Sequence, residues 1–216
     1  MEAEPRKCCD KSQYPMTPYS FSPDGKRLAF SEQAAETGSD LWTLPLDTSD
    51  PEHPNPGKPE SFLRTPFQED APAFSPDGRW ISYSSNESGR SEVFVRPFPP
   101  GGPSGSGKWP ISTDGGEYPI WSHDGRQLFY ESLDNRIMTA GYIAKEDSFA
   151  AEKPRPWSAT QLRDIVGHWN LEATADASRF VVATRADWTG EQKRSLHVTF
   201  LLNFFDEVRR RISSGK

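Results

Sequence analysis

The chain has 216 residues, a formal net charge of -6, 26% charged residues and 12% aromatics, with a mean hydropathy of -0.76. An acidic balance disfavours a nucleic-acid surface, which needs a basic face, and no apolar stretch approaches the ~20 residues of a membrane-spanning helix. The only cysteines, Cys8 and Cys9, are adjacent, which excludes a disulfide framework and reads as free thiols on a tail.

Residues 1–15, MEAEPRKCCDKSQYP, are expected to be that flexible N-terminal tail and lack the apolar centre of a signal peptide. As written, the chain is expected to stay where it is made. From Met16 onward the sequence repeats itself. FSPDGKRLAF at Phe21 to Phe30 returns as FSPDGRWISY at Phe74 to Tyr83 and as WSHDGRQLFY at Trp121 to Tyr130. An eroded copy, ATADASRFVV at Ala173 to Val182, keeps Asp176 but has Ala177 where the others have glycine. The aspartates at 24, 77, 124 and 176 are spaced by 53, 47 and 52 residues.

Each unit reads physically. Ser-Pro-Asp-Gly is a turn in which proline pre-sets φ at the first corner and glycine takes the positive φ that follows. An aromatic precedes the turn. After it run alternating pairs: Leu28 and Phe30, Ile81 and Tyr83, Leu128 and Tyr130, Phe180 and Val182. Period two marks strands with one face buried. A third strand follows at Asp40 to Leu46, Glu92 to Phe98, Arg136 to Ile143 and Ser195 to Leu202, and outer strands at Ser61 to Arg64, Trp109 to Ser112 and near Trp157 to Ala159. The Pro/Gly-rich stretches at 47–60 and 99–107 read as long hairpin loops.

Four strands per unit, at a period of roughly 40 to 50 residues, is the pattern of propeller blades. The expected fold is therefore all-β. It is a β-propeller of four four-stranded blades over residues 16–204, with repeats beginning near 18, 72, 119 and 171. A C-terminal helix and tail follow over 205–216, where Phe205, Val208 and Ile212 form an apolar stripe. Arg209, Arg210 and Arg211 read as the solvated face of that helix. Four blades rarely close a ring. The expectations are a small closed ring, sealed by a strand from Lys7 to Thr17, or a partial arc of a larger propeller that can self-associate through open blade faces.

These repeats resemble TolB-like, WD-type propeller repeats. More specifically, FSPDGRWISYSSNESGRSEVFVRPFP, WPISTDGGEYPIWSHDGRQLFYES and HVTFLLNFFDEVRRR resemble the C-terminal sensor half of bacterial membrane-bound serine/threonine kinases. The resemblance implies a partner-docking or ligand-sensing domain of a signalling protein, outside the cytoplasm if the parent is such a kinase. The Gly-rich loop, catalytic loop and metal-binding aspartate of a kinase are absent from the sequence, and so is a GxSxG nucleophile elbow. His53, His123, His168 and His197 share no spacing, and Ser22, Ser75 and Ser122 serve the turns.

The expected role is thus a non-catalytic binding or scaffold domain, with no cofactor, no metal and a protein or peptide partner. The alternative is an accessory cap of a peptidase or a propeller hydrolase. Binding is expected on the loops that lead into each innermost strand and those joining second and third strands. The candidates are Glu69, Asp70, Asn86, Arg90, Asp114, Glu117, Asp134, Arg136, His168 and Trp169. Ordinary solvated loop charge is the competing account at each position. Together they predict a polar, acidic face that favours basic peptides.

Overall fold

The computed structural model describes residues 14–50, 53–100, 107–145, 148–161, 171–174 and 179–182. All of its regular structure is β. The first blade comprises β1 (Met16–Phe21), β2 (Arg27–Ala34), β3 (Gly38–Asp47), β4 (Asn55–Pro56) and β5 (Glu60–Leu63). The second holds β6 (Glu69–Phe74), β7 (Trp80–Ser85), β8 (Glu92–Pro97) and β9 (Trp109–Pro110). The third holds β10 (Glu117–Trp121), β11 (Gln127–Glu131), β12 (Arg136–Lys145), β13 (Ser148–Ala151) and β14 (Arg155–Gln161). Of the fourth, β15 (Leu171–Ala173) and β16 (Phe180–Val182) are described as an antiparallel pair.

Within each blade neighbouring strands run antiparallel in chain order, which is the meander of a β-propeller. The fourth position is split in two blades. One end of β3 pairs with β4 and the other with β5, and β12 likewise pairs with β13 and β14. The stretch 47–60 is therefore more than a loop, and Ser148–Ala151 is a strand the sequence reading did not contain. Met16 and Thr17 lie in β1, paired with Glu32 and Ser31, so those two residues serve the first blade and are not a closing strand. The expected strand at 195–202, the helix at 205–216 and the rest of the N-terminal segment lie outside the described residues.

The repeated turn is a hydrogen-bonded unit. Ser22, Ser75 and Ser122 donate from Oγ to Oδ1 of Asp24, Asp77 and Asp124 at 2.6, 2.6 and 2.7 Å. The same hydroxyls accept the backbone N–H of Arg27, Trp80 and Gln127 at 2.9, 3.0 and 2.8 Å. Gly25, Gly78 and Gly125 close the turn at φ of 69°, 71° and 67°, where a Cβ is disfavoured. A further copy joins β11 to β12. There Ser132 bonds Asp134 at 2.5 Å, and Asn135 takes the glycine position at φ 59°.

Blades are joined by side-chain packing. On the leading face of the second blade, Phe74, Ile81, Tyr83 and Phe94 meet Ala29, Leu41 and Phe62 of the first. On its trailing face, Trp80, Val93, Val95 and Ile111 meet Trp121, Leu128, Tyr130 and Ala140 of the third. All six residues of β7 are consequently buried, a correction to the expectation of one buried face: a strand between two neighbouring blades is covered on both sides. Phe149 of β13 enters the second junction. It stacks on Tyr142 at 5.1 Å and approaches Trp80 at 5.3 Å and Trp121 at 6.0 Å, geometries that add to simple area burial. Phe129, Ile137, Trp157 and Phe180 form the start of the next junction.

Candidate functional site

The innermost strands β1, β6 and β10 share an irregularity. Their registers shift between Pro18 and Ser20, Asp70 and Ala73, and Glu117 and Ile120. In the second and third blades the bulge carries a non-glycine residue at positive φ, Ala71 and Tyr118, each at 52° and each followed by proline. Such backbone costs on the order of 1 kcal/mol or more and persists only where its surroundings hold it. Tyr118 N–H is held by Ser84 Oγ at 3.2 Å.

Two cavities meet at these bulges. One, of about 550 Å³, runs along the inner strands between Tyr19, Phe21, Tyr118, Trp121, His123 and Glu131. The other, of about 270 Å³, is lined by Gln68, Asp70, Ser84, Asn86, Ser91, Glu117 and Tyr118. Tyr118 lines both. Three of the expected residues, Asp70, Asn86 and Glu117, are therefore brought together in one polar recess. Asn86 is fixed there, its Oδ1 accepting Gln68 N–H at 2.9 Å.

Equivalent cross-strand pairs mark the third blade as different. The pair is Thr17 opposite Ser31 in the first blade and Asp70 opposite Ser84 in the second, but Glu117 opposite Glu131 in the third. Like charges directly opposite are unfavourable. Burial, followed by the charge of Glu117, pushes the Glu131 carboxyl above the ordinary glutamate range. Burial and Asp70 raise the Tyr19 phenol, which donates to Asp70 Oδ1 at 2.8 Å. Burial, then Glu117, Asp70 and Glu131, raise Tyr118. Among the described residues no ion pair neutralises Asp70, Glu117 or Glu131. No group of three or more His, Cys, Asp or Glu among them could hold a metal ion.

The remaining candidates are placed otherwise. Glu69 is fully buried, which corrects its expected place on an exposed loop tip. It is the first residue of β6, opposite Ser85, and so lies within a blade. Arg90 is engaged by Glu92 Oε1 at 2.7 Å and by Thr113 O, and stands 3.7 Å from exposed Asp114. Asp134 and Arg136 pair with each other at 2.9 Å, and Arg136 also bonds Ala159 O; they serve the β11–β12 turn and do not line the recess. His168 and Trp169 lie outside the described residues. Sequence reasoning missed Tyr19, Tyr118 and Glu131. The available signal was the Ala-Pro and Tyr-Pro pairs, at 71–72 and 118–119, ahead of the turn aromatic.

The fold defines a β-propeller repeat protein, on the strength of its own sheets. No family model matches the chain. It is similar to dipeptidyl-peptidase 5 of Aspergillus fumigatus, 30% identical over 152 residues, covering 60% of this chain and 20% of that protein. The chain thus spans about a fifth of the length of the curated relative it matches. Similar solved structures include TolB from Acinetobacter baumannii, with 16% identity, TM-score 0.49, 81% of this chain and 38% of that one. Another is the β-propeller domain of the trilobed protease from Pyrococcus furiosus, with 16% identity, TM-score 0.40, 73% of this chain and 46% of that one.

Proposed function

We propose that this propeller is a non-catalytic binding domain that docks a protein partner by a basic side chain where the two cavities adjoin at Tyr118, between Asp70 and Glu117 of the recess and Glu131 of the larger cavity. The observation that carries the reading is the third-blade pair Glu117 and Glu131, two carboxylates where the first blade has none and the second has one. Such a pair is unfavourable in the free protein and is relieved by a cation from outside. Tyr19 and Tyr118 supply aromatic surface beside it, suited to a guanidinium or ammonium group and its apolar stem. The resemblance to the sensor half of membrane-bound kinases makes a signalling role the natural setting.

The test is selection of peptides by the full chain from an immobilised hexapeptide library. Arginine and lysine should be enriched, and the enrichment should vanish in Asp70→Asn/Glu117→Gln. Retention of the same peptides by that variant would overturn the reading. A second reading, an accessory cap of a peptidase or a propeller hydrolase, is favoured by the similarity to dipeptidyl-peptidase 5. Hydrolysis of dipeptidyl amides by the purified chain would support an enzyme and contradict the binding-domain proposal.

A further inference from the structure

We infer that Glu69 is a proton-operated latch on the recess: neutral, it holds the segment carrying Gln68 and Asp70 against the junction of the first two blades; ionised, it loosens that segment. The inference rests on the docking role proposed above for the recess.

The propeller itself does not need an acid at this position. Counting back from the turn aromatics Phe21, Phe74 and Trp121, the residue equivalent to Glu69 is Met16 in the first blade and Gly116 in the third. Yet Glu69 is fully buried and Asp40, at the start of β3, is nearly so. Consecutive residues hold the two acids: Arg64 Nε donates to Asp40 Oδ2 at 3.1 Å, and Thr65 Oγ1 donates to Glu69 Oε1. Thr37 adds a bond to Asp40 Oδ2 at 3.1 Å, and Ser85 lies 3.5 Å from Glu69 Oε1. Among the described residues, neither Asp40 Oδ1 nor Glu69 Oε2 has a hydrogen-bond partner.

The next junction shows what a settled version looks like. Glu92 occupies the position of Asp40, and its two oxygens take Arg90 Nε, Ser112 Oγ and the backbone N–H of Gly115. There the position equivalent to Glu69 is Gly116, not a second acid. The first junction is left with an excess of buried acceptors.

The titratable and charged groups that face Glu69 are Asp40 from β3, Tyr83 from β7 and Glu87 from the β7–β8 turn. Among the described residues, Asp40 is paired with Arg64 and Glu87 with Lys108, and no ion pair reaches Glu69. Burial, aided by Asp40 and Glu87, pushes the Glu69 carboxyl up to about 7. Ionisation then places an unpaired carboxylate oxygen in a dry junction beside like charge, which is costly. The least costly relief is outward movement of residues 64–70. Gln68 and Asp70 flank Glu69, and the reciprocal bonds Gln68 N–H to Asn86 Oδ1 and Asn86 N–H to Gln68 O, at 2.9 and 3.2 Å, tie this segment to the recess.

The test compares amide hydrogen exchange of Gln68 and Asn86, corrected for intrinsic rates, at pH 6 and pH 8. A group with its midpoint near 7 goes from about a tenth to about nine tenths ionised over that range. Protection should therefore fall about tenfold in the wild type and stay constant in Glu69→Gln. Glu69→Met, the residue of the first blade, provides a second variant and should also stay constant. Equal pH dependence in wild type and variants would overturn the latch. The affinity of acetyl-triarginine amide should follow the same pH change. If exchange responds to Glu69 but the peptide binds neither form, the latch stands and the docking role fails.

Discussion

Replacing Glu69 by glutamine should change how stability depends on pH, and the size follows from burial. The carboxyl titrates at 4.5 when exposed and at about 7 in the folded protein. Between those values the folded state holds a proton that the unfolded state has lost, so raising the pH favours unfolding. Below about pH 4.5 both states are protonated and the term vanishes. Above about pH 7 it is fully developed: some 2.5 pH units at 1.36 kcal/mol each give about 3 kcal/mol. Glutamine removes the term and keeps the shape. Urea unfolding followed by tryptophan fluorescence should give near-equal midpoints for wild type and Glu69→Gln at pH 4.5. By pH 8 the variant should unfold about 1 to 2 M later, for a slope near 2 kcal/mol per M. Glu131, also raised by burial, titrates in both proteins and cancels in the difference. A midpoint gap that stays constant from pH 4.5 to pH 8 would refute the argument.

Three further outcomes test the packing and the turns. Ser75→Ala should cost about 2 kcal/mol, because the buried Trp80 N–H loses its acceptor and Asp77 its donor; Ser22→Ala, at a half-buried turn, should cost about half as much, both read from urea midpoints. Phe149→Ala should cost about 3 to 5 kcal/mol by removing the ring that meets Trp80, Trp121 and Tyr142, seen as an early thermal transition in calorimetry. Asn135→Ala should lose about 1 kcal/mol at its positive φ, whereas Asn135→Gly should lose nothing.

The repeat made much of this architecture readable in advance, because each turn repeats the same bonds and each third strand the same alternation. β4 was hidden by the prolines of DTSDPEHPNPGKPE, which suggest a loop. β13 was hidden because its one informative residue, Phe149, stands among small and polar neighbours and gains meaning only from the aromatics it meets. Asp70, Asn86 and Glu117 were legible as polar loop residues. Glu131 was not, since it follows the apolar run of β11 and matters through its register with Glu117. Glu69 looked like its neighbour Asp70. Only strand pairing distinguishes them, turning one toward the recess and the other into the junction. SLDNR, read as a binding loop, proved to be another copy of the Ser-x-Asp turn, with asparagine replacing glycine.

The most direct test of the docking role is titration of the full chain with fluorescent acetyl-triarginine amide at pH 6, for wild type and Asp70→Asn/Glu117→Gln. The account predicts saturable binding that weakens with salt and drops at least tenfold, about 1.4 kcal/mol, in the variant. Binding of equal strength to both proteins, or none to the wild type, would contradict it.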